Sequence, residues 1–167
     1  MRLPPLNPGC GVALLLTLAV VSNAPATWSI VLADSRTREV AVGTVTCLNN
    51  YDLLAIVPVA VVGKGAGACQ ASGDFNGLRR PIMFEQLQLG TPPQQILDLL
   101  AAISGHSSRQ YGIADTQGRM ITFTGSSTSA WAGGVVGVAD ASDHHTPDVA
   151  GLRETRRRAS ATRGVRR

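Results

Sequence analysis

Residues 81–105, PIMFEQLQLGTPPQQILDLLAAISG, are the stretch on which the fold turns. Met83, Phe84 and Leu87 recur at helical spacing, and Gly90 stands where a C-terminal cap is expected. After it, Thr91 and Gln94 lie three apart around Pro92 and Pro93. Ile96, Leu100 and Ile103 then repeat at i, i+4 and i+7 before Gly105. The spacing predicts a helical hairpin of two amphipathic helices joined at Gly90. Its neighbours on both sides read as strands.

Upstream, Thr27 to Asp34 (TWSIVLAD) and Glu39 to Cys47 (EVAVGTVTC) are apolar, rich in β-branched residues and separated by Ser35-Arg36-Thr37-Arg38, which predicts a hairpin. Leu53 to Val62 (LLAIVPVAVV) is almost wholly apolar and is expected to be buried on both faces. Pro58 implies an edge, a bulge or a break within it. Gly63 to Ala68 (GKGAGA) reads as a turn whose small residues let backbones or sheets approach. It lacks the spacing of a phosphate-binding P-loop, which excludes nucleotide binding there. Downstream, Gln110 to Asp115 and Met120 to Thr124 form a pair around Thr116-Gln117-Gly118-Arg119, and a third run spans Ser129 to Val138. Strands, two helices and strands again predict an α+β layered sandwich, not alternating βαβ units.

A chain of 167 residues with 44% hydrophobic content supplies one core. Aromatics amount to only 4%, so that core is built from Val, Ile, Leu and Ala. The formal charge of +4 is local, because Arg153, Arg156, Arg157, Arg158, Arg163, Arg166 and Arg167 crowd the last residues against Glu154 alone. The remainder is mildly acidic and has no reader motif, which argues against a specific nucleic-acid groove.

Val12 to Val21 (VALLLTLAVV) follows a short start carrying Arg2, and Ala24-Pro25-Ala26 places small residues at the −3 and −1 positions. Residues 1–26 therefore read as a secretory signal peptide cut after Ala26, leaving Thr27 first. A cut after Ala24 would put Pro25 first, a poorer arrangement. The apolar run is about half the roughly 20 residues that span a bilayer, so no stable membrane anchor is expected. Export would make the product periplasmic or secreted and put Cys47 and Cys69 in an oxidising compartment. A disulfide between them and two separate small buried side chains are both compatible with the sequence. The domain is expected over residues 27–140, with residues 141–167 a disordered basic tail.

Thr27-Trp28-Ser29-Ile30-Val31 with Asp34, Glu39-Val40-Ala41-Val42-Gly43, Gly65-Ala66-Gly67-Ala68, Leu89-Gly90-Thr91-Pro92, Arg109 to Asp115 and Trp131-Ala132-Gly133 occur in the order found in one family. On these residues the chain, over about 27–137, resembles domain-of-unknown-function family 1028, grouped with the N-terminal-nucleophile hydrolases. The resemblance implies a four-layer αββα sandwich, C-terminally incomplete here, and an exported hydrolase acting on an unidentified amide without a cofactor. A noncatalytic exported domain or a truncated inactive relative is the alternative. Two departures stand out: Lys64, the chain's single lysine, lies where the family carries an uncharged residue, and Arg/Ala/Thr-rich text replaces further strands after the Trp-Ala-Gly segment. A frame change near Ala139 and a genuine tail both fit that replacement.

The implied chemistry makes Thr27 both nucleophile, through its hydroxyl, and base, through its free α-amine, whose ordinary pKa near 8 leaves a useful neutral fraction. Asp34 is a candidate to orient the amine and Lys64 to lower the nucleophile's pKa. Asn49, with Asn50, is a candidate oxyanion-hole amide, and Arg109 a candidate for a substrate carboxylate. Each has a plainer reading: Thr27 as a strand start, Asp34 and Asn49 as turn formers, Lys64 as a solvated charge, Arg109 as partner to a neighbouring acid. His106 follows Gly105 and reads as a loop residue. His144 and His145 lack a spaced third ligand, so no metal site is expected.

Overall fold

The computed structural model describes residues 27–129, 132–138 and 148–152. Two antiparallel four-stranded sheets stack face to face, and two helices cover the outer face of one of them. The first sheet has the order β2-β1-β8-β7, from β1 (Thr27–Ala33), β2 (Val40–Thr46), β7 (Val135–Gly137) and β8 (Asp148–Leu152). The second has the order β3-β4-β5-β6, from β3 (Pro58–Val61), β4 (Gly65–Gln70), β5 (Gln110–Asp115) and β6 (Met120–Thr124). A single helical turn, α1 (Leu53–Ile56), precedes β3, while α2 (Arg79–Leu89) and α3 (Pro93–Ala101) form the helical hairpin.

The expected β-hairpin is present, with Thr27 opposite Thr46 and Ala33 opposite Val40. Its period-2 pattern sends Val31 and Ala33 inward, where they meet Ala66, Ala68 and Ala114 of the other sheet. The alanines keep this seam thin. On the other side of the second sheet, Val59, Val61, Cys69, Tyr111 and Ile113 meet Met83 and Leu87 of α2 and Ile96 and Leu100 of α3. The alternation of strands β4 and β5 between these two cores accounts for their burial along the whole length.

Several expectations change. The 53–62 run breaks at Pro58, as that residue implied, but it is not buried on both faces and its first part is a helical turn. Asp52 caps α1 by accepting from the Leu54 and Ala55 amides, and the chain then enters β3 at Pro58 on the sheet edge, where the missing N–H costs no ladder bond. Val59 and Val61 are buried, whereas Val62 is 92% exposed. The Gly63 to Ala68 turn is shorter than expected, since β4 begins at Gly65. Its glycines serve packing: a Cβ on Gly65 would lie 2.8 Å from Leu87 Cδ2, and one on Gly67 would overlap Met83 Sδ, so α2 rests directly on the strand backbone.

Helix α2 starts at Arg79, ahead of Pro81, because the Asp74 carboxylate accepts from the Arg79 and Arg80 amides. Arg79 is fully buried, donating to Tyr111 Oη at 3.0 Å and to the Ser104 carbonyl, which ties this helix start to the end of the hairpin. Gly90 caps α2 in the left-handed region, as its position suggested. The Thr91/Gln94 capping box does not form. Pro92 occupies the N-cap, Thr91 Oγ1 donates to Gln86 Oε1, and Gln94 turns to Asp98.

Strand pairing also does not stop at Asp140. Residues Asp148–Leu152, expected in the disordered tail, form β8 between β1 and β7, with Ser29 opposite Leu152 and Val135 opposite Gly151. Five residues interrupted by a glycine show no readable alternation, and sheet partners supply what the local pattern lacks. The remaining tail residues, 141–147 and 153–167, lie outside the described residues, as does the expected signal peptide. Among the described residues of the 129–138 run, Val135–Gly137 is strand. Among the described residues helices cover one sheet only, so the layers seen are αββ. Trp28 (41%), Ile30 (48%) and Val45 (63%) are exposed on the other outer face. Cys47 is exposed and Cys69 buried, without a disulfide between them.

Candidate active site

Thr27 opens β1 at the end of the sandwich, and an uncharged polar chain crosses both sheets there. Thr27 Oγ1 lies 3.0 Å from Thr46 Oγ1 on the paired strand. Two residues on, Ser29 Oγ donates to Gln70 Oε1 at 2.5 Å and lies 3.0 Å from Thr44 Oγ1. Gln70 Nε2 donates to the Thr27 carbonyl at 3.1 Å and to Gln110 Oε1 at 3.2 Å. Gln110 Nε2 in turn reaches Thr124 Oγ1 at 3.1 Å and the Gly133 carbonyl at 3.2 Å. Ser29, Gln70 and Gln110 are each at most 3% exposed, so the two bonds that join them operate away from water, where an unpaired amide is costly and a paired one is held rigidly.

Two clefts open beside this network and share Thr27, Leu48, Ala71 and Ser72 in their walls. One, of about 270 Å³, is lined chiefly by apolar groups, including Leu53, Ile56 and the Tyr51–Phe75 pair, whose rings meet edge to face at 5.6 Å. The other, of about 230 Å³, is lined by Ser108, Gln110, Ser127, Thr128 and Ser129. Thr27 sits where they join.

The other expected site residues do not gather here. Asp34 lies at the far end of β1, roughly 20 Å away at ~3.3 Å per residue. Its carboxylate accepts from the Thr37 and Arg36 amides at 2.8 and 2.7 Å, and those bonds, Thr37's first, hold its pKa below the ordinary value. It is a turn former, as its plainer reading had it. Lys64 is also at that distant end, since β4 runs from Gly65 to Gln70 and only Gln70 reaches Thr27. Its carbonyl accepts from the Thr116 amide, and the adjoining Gly63 carbonyl accepts two bonds from the Arg38 guanidinium. Neither residue can assist Thr27 from there.

Arg109 precedes Gln110 and so points to the opposite, helix-covered side of the second sheet, away from the clefts. Its Nε is buried without a hydrogen-bond partner. Asn49 is exposed in the loop after β2, between Leu48 and Tyr51's neighbour Asn50, and is not part of either cleft wall. Asn50 adopts φ +66°, which marks a turn. His106 stacks on Phe123 at 4.0 Å, and burial followed by the Arg79 charge lowers its pKa. Burial pushes the Cys69 thiol up to about 12, making it a poor nucleophile. Among the described residues no group of three or more His, Cys, Asp or Glu side chains converges, and no helix is long and apolar enough to cross a membrane. His144 and His145 lie outside the described residues.

Sequence reasoning named Thr27 and missed Ser29, Thr44, Thr46, Gln70 and Gln110. The signal was present: each is polar at a strand position in phase with inward apolar neighbours, as Ser29 is with Val31 and Gln70 with Ala68.

The sequence pattern of a family of unknown function, DUF1028, matches residues 27–142, beginning at the same threonine. The chain belongs to the DUF1028 family. Its backbone is similar to the crystal structure of protein SPO2555 from Silicibacter pomeroyi, also of DUF1028, with a TM-score of 0.55 at 20% identity. The match covers 76% of this chain and 54% of that one, so the chain spans about half the length of its DUF1028 neighbour. At that identity the likeness concerns the fold. Among curated proteins none matches the chain.

Proposed function

We propose that the chain is an exported amide hydrolase of the N-terminal-nucleophile type, with Thr27 as nucleophile and its α-amine as base once residues 1–26 have been removed. The observation that carries this reading is the position of Thr27: first residue of β1, at the junction of two clefts, its carbonyl held by a buried glutamine. The finer fold assignment, an αββα sandwich whose second helical layer would cover Trp28, Ile30 and Val45, belongs to the same proposal.

In the reaction, Thr27 Oγ1 attacks the amide carbonyl carbon and its proton passes to the α-amine. The tetrahedral intermediate collapses with cleavage of the C–N bond, and the amine delivers that proton to the leaving nitrogen. Water then attacks the acyl ester, releasing a carboxylic acid and restoring the threonine hydroxyl. Gln70 fixes the backbone from which both reacting groups project. Thr46 Oγ1, 3.0 Å from the nucleophilic oxygen, orients the hydroxyl. Among the described residues no charged side chain lines either cleft, so neither Lys64 nor Asp34 is assigned a part in activating the amine.

The test is N-terminal sequencing of the exported product followed by reaction with a β-lactone. The product should begin Thr-Trp-Ser-Ile, and the lactone should acylate Thr27. Thr27→Ala should abolish labelling at an unchanged melting temperature, Thr27→Ser should retain part of it, and an uncleaved residue before Thr27 should remove it by converting the amine to an amide. A correctly processed protein that never labels refutes the proposal. The second reading, a noncatalytic exported binding domain or inactive relative, draws on the exposed apolar outer face of the first sheet.

A further inference from the structure

The two clefts differ in chemistry, and the difference bears on what reacts at Thr27. Thr46 lines the apolar cleft and not the hydroxyl-lined one, so the 3.0 Å approach of the two threonine oxygens sets the Thr27 hydroxyl beside a wall of the apolar cleft, which Tyr51 and Phe75 also line. Whatever bonds to Thr27 Oγ1 is therefore carried on that side. A cleft of about 270 Å³ has room for a phenyl or branched alkyl group, since cavities of about 150 Å³ accept benzene. Its aromatic pair offers ring edges and faces for such a group.

On the other side, Ser108, Ser127, Thr128 and Gln110 offer hydroxyls and an amide but no counter-charge. Among the described residues no Asp, Glu, Lys, Arg or His lines either cleft. A substrate carboxylate or ammonium would lose hydration there against no opposite charge, which disfavours charged substrates on both flanks. We propose that the substrate is a neutral amide whose acyl side is aromatic or branched aliphatic and occupies the Tyr51/Phe75 cleft, and whose amine side is short, uncharged and hydrogen-bonding. This inference rests on Thr27 being the nucleophile.

The experiment uses the full chain, expressed with its leader and processed at Thr27. Labelling of Thr27 by a benzyl-substituted and by a carboxymethyl-substituted β-lactone is followed by mass spectrometry. The benzyl compound should react at least about 10-fold faster, a modest value for one hydrophobic pocket. Phe75→Ala, which alters a side chain 63% exposed and so leaves the core intact, should collapse that ratio toward unity. Among phenylacetyl amides, glycinamide should be released faster than glycine. Equal rates, or a preference for the carboxymethyl lactone or for the glycine leaving group, overturn the substrate class while leaving Thr27 as nucleophile. Failure of Thr27 to react with both lactones and with the unsubstituted ring overturns the nucleophile assignment, and the substrate class falls with it.

Discussion

Replacing Gln70 with leucine probes the network that holds Thr27. Gln70 is 1% exposed and makes three side-chain hydrogen bonds, to Ser29 Oγ, the Thr27 carbonyl and Gln110 Oε1. Leucine fits a similar volume but makes none of them. Ser29 retains Thr44 as a partner, and Gln110 Nε2 retains Thr124 and Gly133, so two acceptors, the Thr27 carbonyl and Gln110 Oε1, lose the bond that Gln70 made. Each buried acceptor left unsatisfied costs about 1–3 kcal/mol, partly offset by the added apolar burial, for a net loss of about 2–4 kcal/mol. At about 4 °C per kcal/mol for a domain of this size, the melting temperature should fall by roughly 8–16 °C. Thermal and urea unfolding followed by circular dichroism measure it. Gln70→Glu should be worse at pH 7 than at pH 4. A carboxylate there faces Gln110 Oε1, burial raises its folded pKa above the unfolded value near 4.3, and stability is lost as pH rises past that unfolded value. A Gln70→Leu protein melting within about 1 °C of wild type refutes the argument that the network is closed and buried.

Gly67→Ala should destabilise by about 1–3 kcal/mol because its Cβ overlaps Met83 Sδ, and the loss should shrink when Met83→Ala is added, a coupling that a double-mutant cycle reads. Asp34 should titrate with a midpoint below 3.8, visible in the amide shifts of Thr37 and Arg36 by NMR. Because its folded pKa is depressed, its contribution to the hairpin is present above the unfolded value and lost as pH falls through the folded one, so Asp34→Asn should flatten the acid limb of stability. In protein beginning at Thr27, a thiol reagent should modify Cys47 in the native state and Cys69 only after denaturation. Prompt modification of both would show that the Cys69 core opens readily.

Local patterns made the secondary structure legible where a single periodicity held. The hairpin 27–47, the capping Gly90 and the paired strands 110–124 follow from alternation, turn residues and helical spacing, which are properties of adjacent residues. The absence of a basic excess from the domain was legible too, since seven arginines cluster after residue 152 and leave the rest mildly acidic. Three things were decided only by tertiary structure. Pro58 marked an edge or a break in the apolar run 53–62, but that residues 53–56 become a helical turn capped by Asp52 instead of a strand depends on which neighbour lies beside them. Strand β8 exists because β1 and β7 offer it hydrogen-bonding edges on both sides, which no window of five residues contains. The site likewise joins residues 27, 46, 70 and 110, brought together by strand register and sheet stacking. Of these four only Thr27 was singled out in the sequence, because the proposed leader cut after Ala26 and the family resemblance both point to it, and both are read from adjacent residues. Its partners are ordinary serines, threonines and glutamines whose meaning comes from the face on which they fall and the strand they oppose. Asp34 and Lys64 show the converse: near Thr27 along the chain or prominent by charge, they are carried to the other end of the sandwich by strands that run straight for about 20 Å.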